Sequence, residues 1–180
     1  RFLRRQGNSV LSQPIKGTSG RVKQDQVKDQ QSRDALQQSA KDRSENVMVV
    51  DLVRNDLARI CEEGTVKVDE LFGLYSFPQV HQMISTISGE IRKDISFAEI
   101  IRATFPMGSM TGAPKKRVME LIEEYEKTRR GIFSGALCYI SPGGCLPAGQ
   151  AGFDFNEVIR SIMYNAATHY LSFQTGSGIT

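Results

Sequence analysis

An α+β fold is what this sequence predicts, on three observations: a helical apolar pattern over residues 39–60, a β-branched strand pattern over 80–91, and a Ser96-Phe97-Ala98-Glu99 start signal that opens a further helix. The chain has 180 residues, of which 39% are hydrophobic and 24% charged, within the range of one globular domain or of a piece of a larger one.

Taken in order, residues 8–13 read as a short strand stopped by Pro14, which has no amide hydrogen to donate to a ladder. The Gln-, Lys- and Asp-rich run 22–38 is a linker or a solvated helix. A helix follows over 39–60, then strands at 66–68 and 80–91. The helix opened by Ser96 runs to about Thr104, and a glycine-containing loop leads to Pro114, placed as the first residue of a helix ending near Gly131. Strands at 132–140, 158–164 and 170–174 complete the pattern, and no internal repeat is visible.

Several classes are excluded as expectations. No apolar run approaches the roughly 20 residues that span a bilayer, and the opening Arg1-Phe2-Leu3-Arg4-Arg5 has no signal-peptide core, so no membrane partner is expected. The absence of an initiator Met points to an internal fragment. Net charge is +3 with both signs interspersed, which argues against a nucleic-acid footprint. Cys61, Cys138 and Cys145 are odd in number and lack CxxC spacing, so a reducing cytoplasm is expected rather than a disulfide scaffold or zinc site.

Six places carry polar groups where chemistry is possible. Lys16 lies in the turn Pro14-Ile15-Lys16-Gly17-Thr18, where it is either a solvated ammonium or a held amine. On a helix Glu45 shares a face with Met48, Val49 and Leu52, so its carboxylate needs a partner: an Arg such as Arg54 or Arg102, a metal, or a substrate group. Strand alternation puts Arg160 among Val158, Ile162 and Tyr164, where its guanidinium requires an anion, structural or ligand-borne. The loop 105–114 combines free backbone amides and two hydroxyls, the makeup of an anion site or of a plain helix start; Gly176-Ser177-Gly178 is a flexible turn or an amide cradle. His81 within a strand is either a hydrogen-bonded structural residue or a catalytic one.

The order of these segments resembles the chorismate-binding family, which includes anthranilate, aminodeoxychorismate, isochorismate and salicylate synthases. The residues that carry the resemblance are PIKGT at 14–18, Ser39-Ala40-Lys41-Asp42-Arg43-Ser44-Glu45-Asn46 running into Val49-Val50-Asp51-Leu52-Val53-Arg54-Asn55-Asp56, Val80-His81-Gln82-Met83, the 105–115 loop, and Asp154-Phe155-Asn156 leading to Arg160. The resemblance implies mixed or antiparallel sheets covered by helices, with residues 1–180 as the central part of one catalytic domain truncated at both ends.

Within the family, anthranilate synthases typically carry Ala where Lys16 stands, so Lys16 resembles the aminodeoxychorismate branch. There the lysine is taken to add to the substrate ring at C2 before ammonia displaces it at C4. The resemblance thus implies amination of chorismate for folate synthesis, with ammonia from a glutamine amidotransferase. It also implies Lys16 and His81 at the reacting ring, Glu45 as a Mg²⁺ ligand, and Arg160 and Tyr139 on the enolpyruvyl carboxylate. Thr18, Ser109, Thr111, Gly176 and Gly178 are its further substrate contacts. A catalytic Glu expected before Arg1 and a second metal Glu expected beyond Thr180 imply that this piece alone is inactive. Anthranilate synthase or another chorismate-converting enzyme is the alternative of the same class, and a catalytically silent ligand-binding piece the alternative of a different one. Departures from the pattern are Ser19-Gly20 before Arg21, Cys138 for a common Gly, Glu157 for a common Val, and the 143–152 tract, which reads as a loop insertion.

Overall fold

A computed structural model describes residues 1–141 and 152–176. Strands β1 (Leu3–Gln6) and β2 (Ser9–Ser12) form a hairpin whose turn uses Gly7 at φ 64°, a conformation that costs glycine nothing. After Pro14 comes β3 (Ile15–Gly20), and then two helices, α1 (Gln26–Gln38) and α2 (Ala40–Ala58). The polar run 22–38 is therefore a solvated helix, with the Asp25 side chain accepting from the amides of Val27 and Lys28 at its start. One residue, Ser39, ends α1 and caps α2, accepting from the Asp42 amide at 3.2 Å.

β4 (Lys67–Ser76) and β5 (Val80–Glu90) follow, then α3 (Phe97–Thr104), a 3₁₀ turn (Gly108–Met110), α4 (Lys115–Tyr125), β6 (Ala136–Ser141) and β7 (Gly152–Glu157). A separate hairpin, β8 (Ile162–Asn165) with β9 (Tyr170–Phe173), closes the described chain. Seven strands make one sheet, β3-β5-β2-β1-β7-β6 with β4 also on β5, and every ladder is antiparallel. The fold is α+β, as the sequence predicts.

β5 organises the sheet. Residues 80–84 pair with β3 and residues 87–90 with β2, while β4 runs along β5 between residues 81 and 88. Its alternate residues His81, Met83, Ser85 and Ile87 are buried, and α1 and α2 lie on that face: His81 reaches Asp29 of α1 and Ser85 reaches Asn46 of α2. The main cluster joins Leu3, Val10, Ile87 and Phe155 of the sheet to Val50 and Leu57 of α2 and Ile100 of α3. Burying each such side chain stabilises by about 1.5–3 kcal/mol. Cys61 sits in this core, where burial pushes its thiol up to about 11. Cys138 is exposed, and Cys145 lies outside the described residues.

Several elements differ from the sequence-based expectation. β1, β3 and β7 are strands that the apolar patterns do not announce, and β4 extends well beyond 66–68. α4 stops at Tyr125 because Glu126 is extended at φ −75°, ψ 120°. The expected strand at 132–140 begins only at Ala136, after Ser134 at φ 60°. Residues 158–161 are not a strand: Arg160 has φ 54°, which no ladder accommodates, so β8 starts at Ile162. Of the 143–152 tract, 143–151 lie outside the described residues and Gly152 begins β7.

Candidate active site

A cleft of about 490 Å³ opens where the start of β3, one side of α2, the 3₁₀ turn and the end of β7 converge. That volume suits a small metabolite. Lys16 and Thr18 enter it from β3, Ser109 from the 3₁₀ turn, Arg160 from the segment after β7, and Gly176 from the end of the described chain. Five of the residues singled out from the sequence thus share one cavity.

Lys16 is half-buried, with Nζ 3.5 Å from the carbonyl of Ser109. The hydroxyl of that same serine donates to both carboxylate oxygens of Glu157, at 2.7 and 2.9 Å. Burial raises the Glu157 carboxyl above its ordinary range, against the Ser109 hydrogen bond. Glu157 ends β7 beside Asn156, and sequence patterning does not reveal its strand; the residue stands out there only as a departure from the family. The signal available is a lone acid in an otherwise apolar 157–159 stretch.

Arg160 lines the cleft, yet it is exposed and held by its positive φ rather than by an apolar strand face; the strand-based expectation is corrected on that point. Glycine at 176 matters sterically: a Cβ there would stand 3.1 Å from Met110 Cε and 3.3 Å from Phe133 Cε1. Gln174 also reaches the wall, and its Oε1 is a buried acceptor with no hydrogen-bond partner among the described residues.

Other expected residues stand elsewhere. His81 is 2% exposed and outside the cleft wall; Nδ1 is 2.8 Å from Ser76 Oγ and Nε2 is 3.2 Å from Asp29 Oδ1. Thr111 is buried, donating to the Met107 carbonyl at 3.1 Å. Tyr139 is 64% exposed on β6, opposite Asp154. Gly178 lies outside the described residues.

Glu45 is half-exposed. The buried side of α2 is Asn46, Val49, Val50 and Leu57, one residue round from the stripe of Met48, Val49 and Leu52 expected from helical spacing. Its nearest cation is Lys41 at 4.0 Å, while Arg54 pairs with Asp51 instead. Glu45 is not among the residues that line the cleft; it stands one turn before Val49, which does, with Val53 and Asp56. A carboxylate so loosely paired fits a Mg²⁺ ligand, since that ion takes one or two carboxylates and fills its other positions with water and substrate oxygens. Among the described residues no group of three His, Cys, Asp or Glu is gathered for a metal.

A cleft offering an amine, a guanidinium and loop amides is what a small polycarboxylate needs, and the family comparison decides whose it is. A family profile described as chorismate binding enzyme matches residues 1–180. The chain belongs to that family. As a chorismate-binding chain it is 44% identical over 179 residues to aminodeoxychorismate synthase component 1 of Salmonella typhimurium, covering 99% of this chain and 37% of that protein. It is also 44% identical to the chloroplastic aminodeoxychorismate synthase of Arabidopsis thaliana, over 91% of this chain and 17% of the relative. Crystalline anthranilate synthase component I from Streptococcus pneumoniae superposes with a TM-score of 0.72 at 28% identity, over 89% of this chain and 33% of that one. This chorismate-binding chain therefore spans little more than a third of the length of such relatives at most. Among the described residues no helix is long and apolar enough to cross a membrane.

Proposed function

We propose that the protein carrying this chain aminates chorismate to 4-amino-4-deoxychorismate in the cytoplasm, as a step toward folate, with ammonia delivered by a glutamine amidotransferase partner. The observation that supports this reading most is Lys16: it enters the cleft beside Ser109 and Arg160, in a chain 44% identical to a relative named aminodeoxychorismate synthase component 1.

In this reading the neutral Lys16 amine forms a C–N bond at ring C2, both ring double bonds shift toward C4, and the C4 hydroxyl leaves with a proton as water. Ammonia then bonds to C4, both double bonds return to their first positions, and the C2–N bond breaks to release Lys16. Arg160 binds a substrate carboxylate through paired N–H donors. The amides and hydroxyls near Ser109 and Gly176 orient the ring, with Thr18 lining the wall. Glu45 would hold a Mg²⁺ ion, which would supply positive charge to the ring carboxylate. Thr111 keeps the substrate loop in shape through its bond to Met107, and Tyr139 completes the carboxylate contacts in the intact enzyme. His81 supports β3 from the helix side by holding Asp29.

The test is Lys16→Ala in the intact enzyme, assayed with chorismate, ammonium and Mg²⁺. Amination should fall by at least about 10³-fold with the melting temperature unchanged, and a lysine–substrate adduct should be seen in the wild-type enzyme by intact-mass spectrometry under turnover. Undiminished amination in the Ala variant removes Lys16 from the chemistry. Formation of anthranilate instead of the 4-amino product shows the other branch of the family.

A further inference from the structure

Arg130 is not among the residues that line the cleft, yet its guanidinium bonds to two segments that build the cleft wall. Nε and Nη2 face the Glu126 carboxylate, at 2.9 Å from Oε2 and 2.6 Å from Oε1, and this bonding holds the Glu126 carboxyl below its ordinary range. Nη1 serves a different purpose. It donates to the Met110 carbonyl at 2.9 Å and to the Ser134 hydroxyl at 3.3 Å. The Arg130 side chain is only 19% exposed, so water competes little for these bonds.

Each of those acceptors stands one step from the cleft's working groups. Met110 follows Ser109, whose carbonyl is 3.5 Å from Lys16 Nζ. Ser134 donates its backbone amide to the Val158 carbonyl at 2.9 Å, and Val158 lies between Glu157 and Arg160 in the segment that carries Arg160 into the cleft. Ser134 is buried at φ 60°, a left-handed backbone that a residue with a Cβ keeps only where its surroundings hold it. Its hydroxyl on Arg130 and its amide on Val158 do the holding.

We propose that Arg130 is a positioning residue: through Met110 and Ser134 it fixes the spacing between the 3₁₀ turn beside Lys16 and the 157–160 segment that carries Arg160. The substrate never touches it. What this task requires is the planar fork, with donors on two edges, and not merely a positive charge for Glu126. An ion pair that only stabilised the fold would require the charge alone. The effect on amination rests on the roles given above to Lys16 and Arg160, but the spacing itself does not.

The experiment compares Arg130→Lys with Glu126→Gln in the intact enzyme, with ammonium and Mg²⁺ present. Chorismate consumption gives kcat/KM whichever product forms, and melting temperature is measured alongside. Arg130→Lys keeps a cation for Glu126 but cannot reach Met110 and Ser134 as well. It should melt close to wild type while kcat/KM for chorismate falls by about 10²-fold, the loss expected when a site is displaced by about 1 Å. Glu126→Gln removes the opposite charge and leaves Nη1 on its two acceptors, so it should melt lower and keep kcat/KM near the wild-type value. If Arg130→Lys does not fold, Arg130→Ala carries the test: added guanidinium ion should restore turnover, and sodium at the same ionic strength should not. Wild-type kcat/KM in Arg130→Lys, an equal loss in Glu126→Gln, or no difference between guanidinium and sodium in Arg130→Ala overturns the proposal. If Arg130→Lys loses kcat/KM while Lys16→Ala still aminates chorismate, the functional reading fails and the spacing role stands.

Discussion

Lys115 Nζ lies 2.8 Å from Asp56 Oδ2, with the two side chains only 17% and 10% exposed, and this pair fastens the start of α4 to α2 beneath the cleft. Lys115 also donates to the Thr104 carbonyl at 3.1 Å. Burial raises the Asp56 carboxyl despite the ammonium beside it, so the folded protein holds that proton more tightly than the unfolded chain does. Stability from Asp56 is therefore fullest at acid pH and falls as pH rises through its folded midpoint. Lys115→Met should cost about 3–5 kcal/mol at pH 8, where the carboxylate is left alone, and clearly less at pH 5. Urea unfolding at the two pH values measures this; an equal loss at both refutes the account.

Asp29 behaves in the opposite sense. It accepts from Arg21 Nε at 2.9 and 3.0 Å, from the Val22 amide at 2.8 Å, and stands 3.2 Å from His81 Nε2. The Arg21 hydrogen bond, then the Val22 amide, hold its carboxyl at about 2, below the ordinary 3.8. Its contribution is present above pH 4 and is lost as pH falls toward 2. Asp29→Asn should flatten acid unfolding across that window. Circular dichroism against pH checks it, and an unchanged acid limb assigns the transition to other carboxylates.

Glu45 is distinguished from a structural acid by its loose pairing. Its 4.0 Å separation from Lys41, which is 84% exposed, is worth under about 1 kcal/mol. Glu45→Gln should leave the melting temperature within a few degrees of wild type while shifting the Mg²⁺ dependence of turnover at least about tenfold upward. A large melting loss with unaltered Mg²⁺ response sinks the metal role.

Gly108 sets how closely the 3₁₀ turn approaches α2. A Cβ there would meet Leu52 Cβ and Cδ1, both at 3.0 Å, and the Cβ cannot rotate away. Gly108→Ala should cost about 1–3 kcal/mol and raise the KM for chorismate as the cleft wall shifts. The same substitution made in a Leu52→Ala background should cost little more than Leu52→Ala itself. Additive losses in that cycle show that the two residues do not press on each other.

How far the amino-acid sequence announces its own fold varies by element, for physical reasons. α2 and β5 carry long apolar periods, and α3 carries a capping box in which Ser96 and Glu99 satisfy each other's backbone, so local chemistry declares all three. β1 and β3 are strands because β7 and β5 lie beside them, a long-range cause absent from Leu3–Gln6 or Ile15–Gly20 alone. Lys16, Thr18, Ser109, Arg160 and Gly176 are legible as cleft residues through the family pattern. Glu157 is not, because its inward direction depends on Ser109, 48 residues away. Arg160 reaches the cleft by a route that alternation does not foresee, a left-handed backbone that is uncommon for an arginine.

β5 has a consequence for how this chain tolerates change in length. It answers to β3 at one end, β2 at the other and β4 along most of its length, so deleting one residue inside it turns the alternate residues on one side of the deletion away from the helices and puts that side out of register with β4 and with β3 or β2. The bond of Ser85 to Asn46 or that of His81 to Asp29 would be lost with the side that turns. In a lineage of such proteins, insertions and deletions are then confined to the connections between strands, and the spacing from Val80 to Glu90 acts as the ruler against which the cleft's other walls keep their distance.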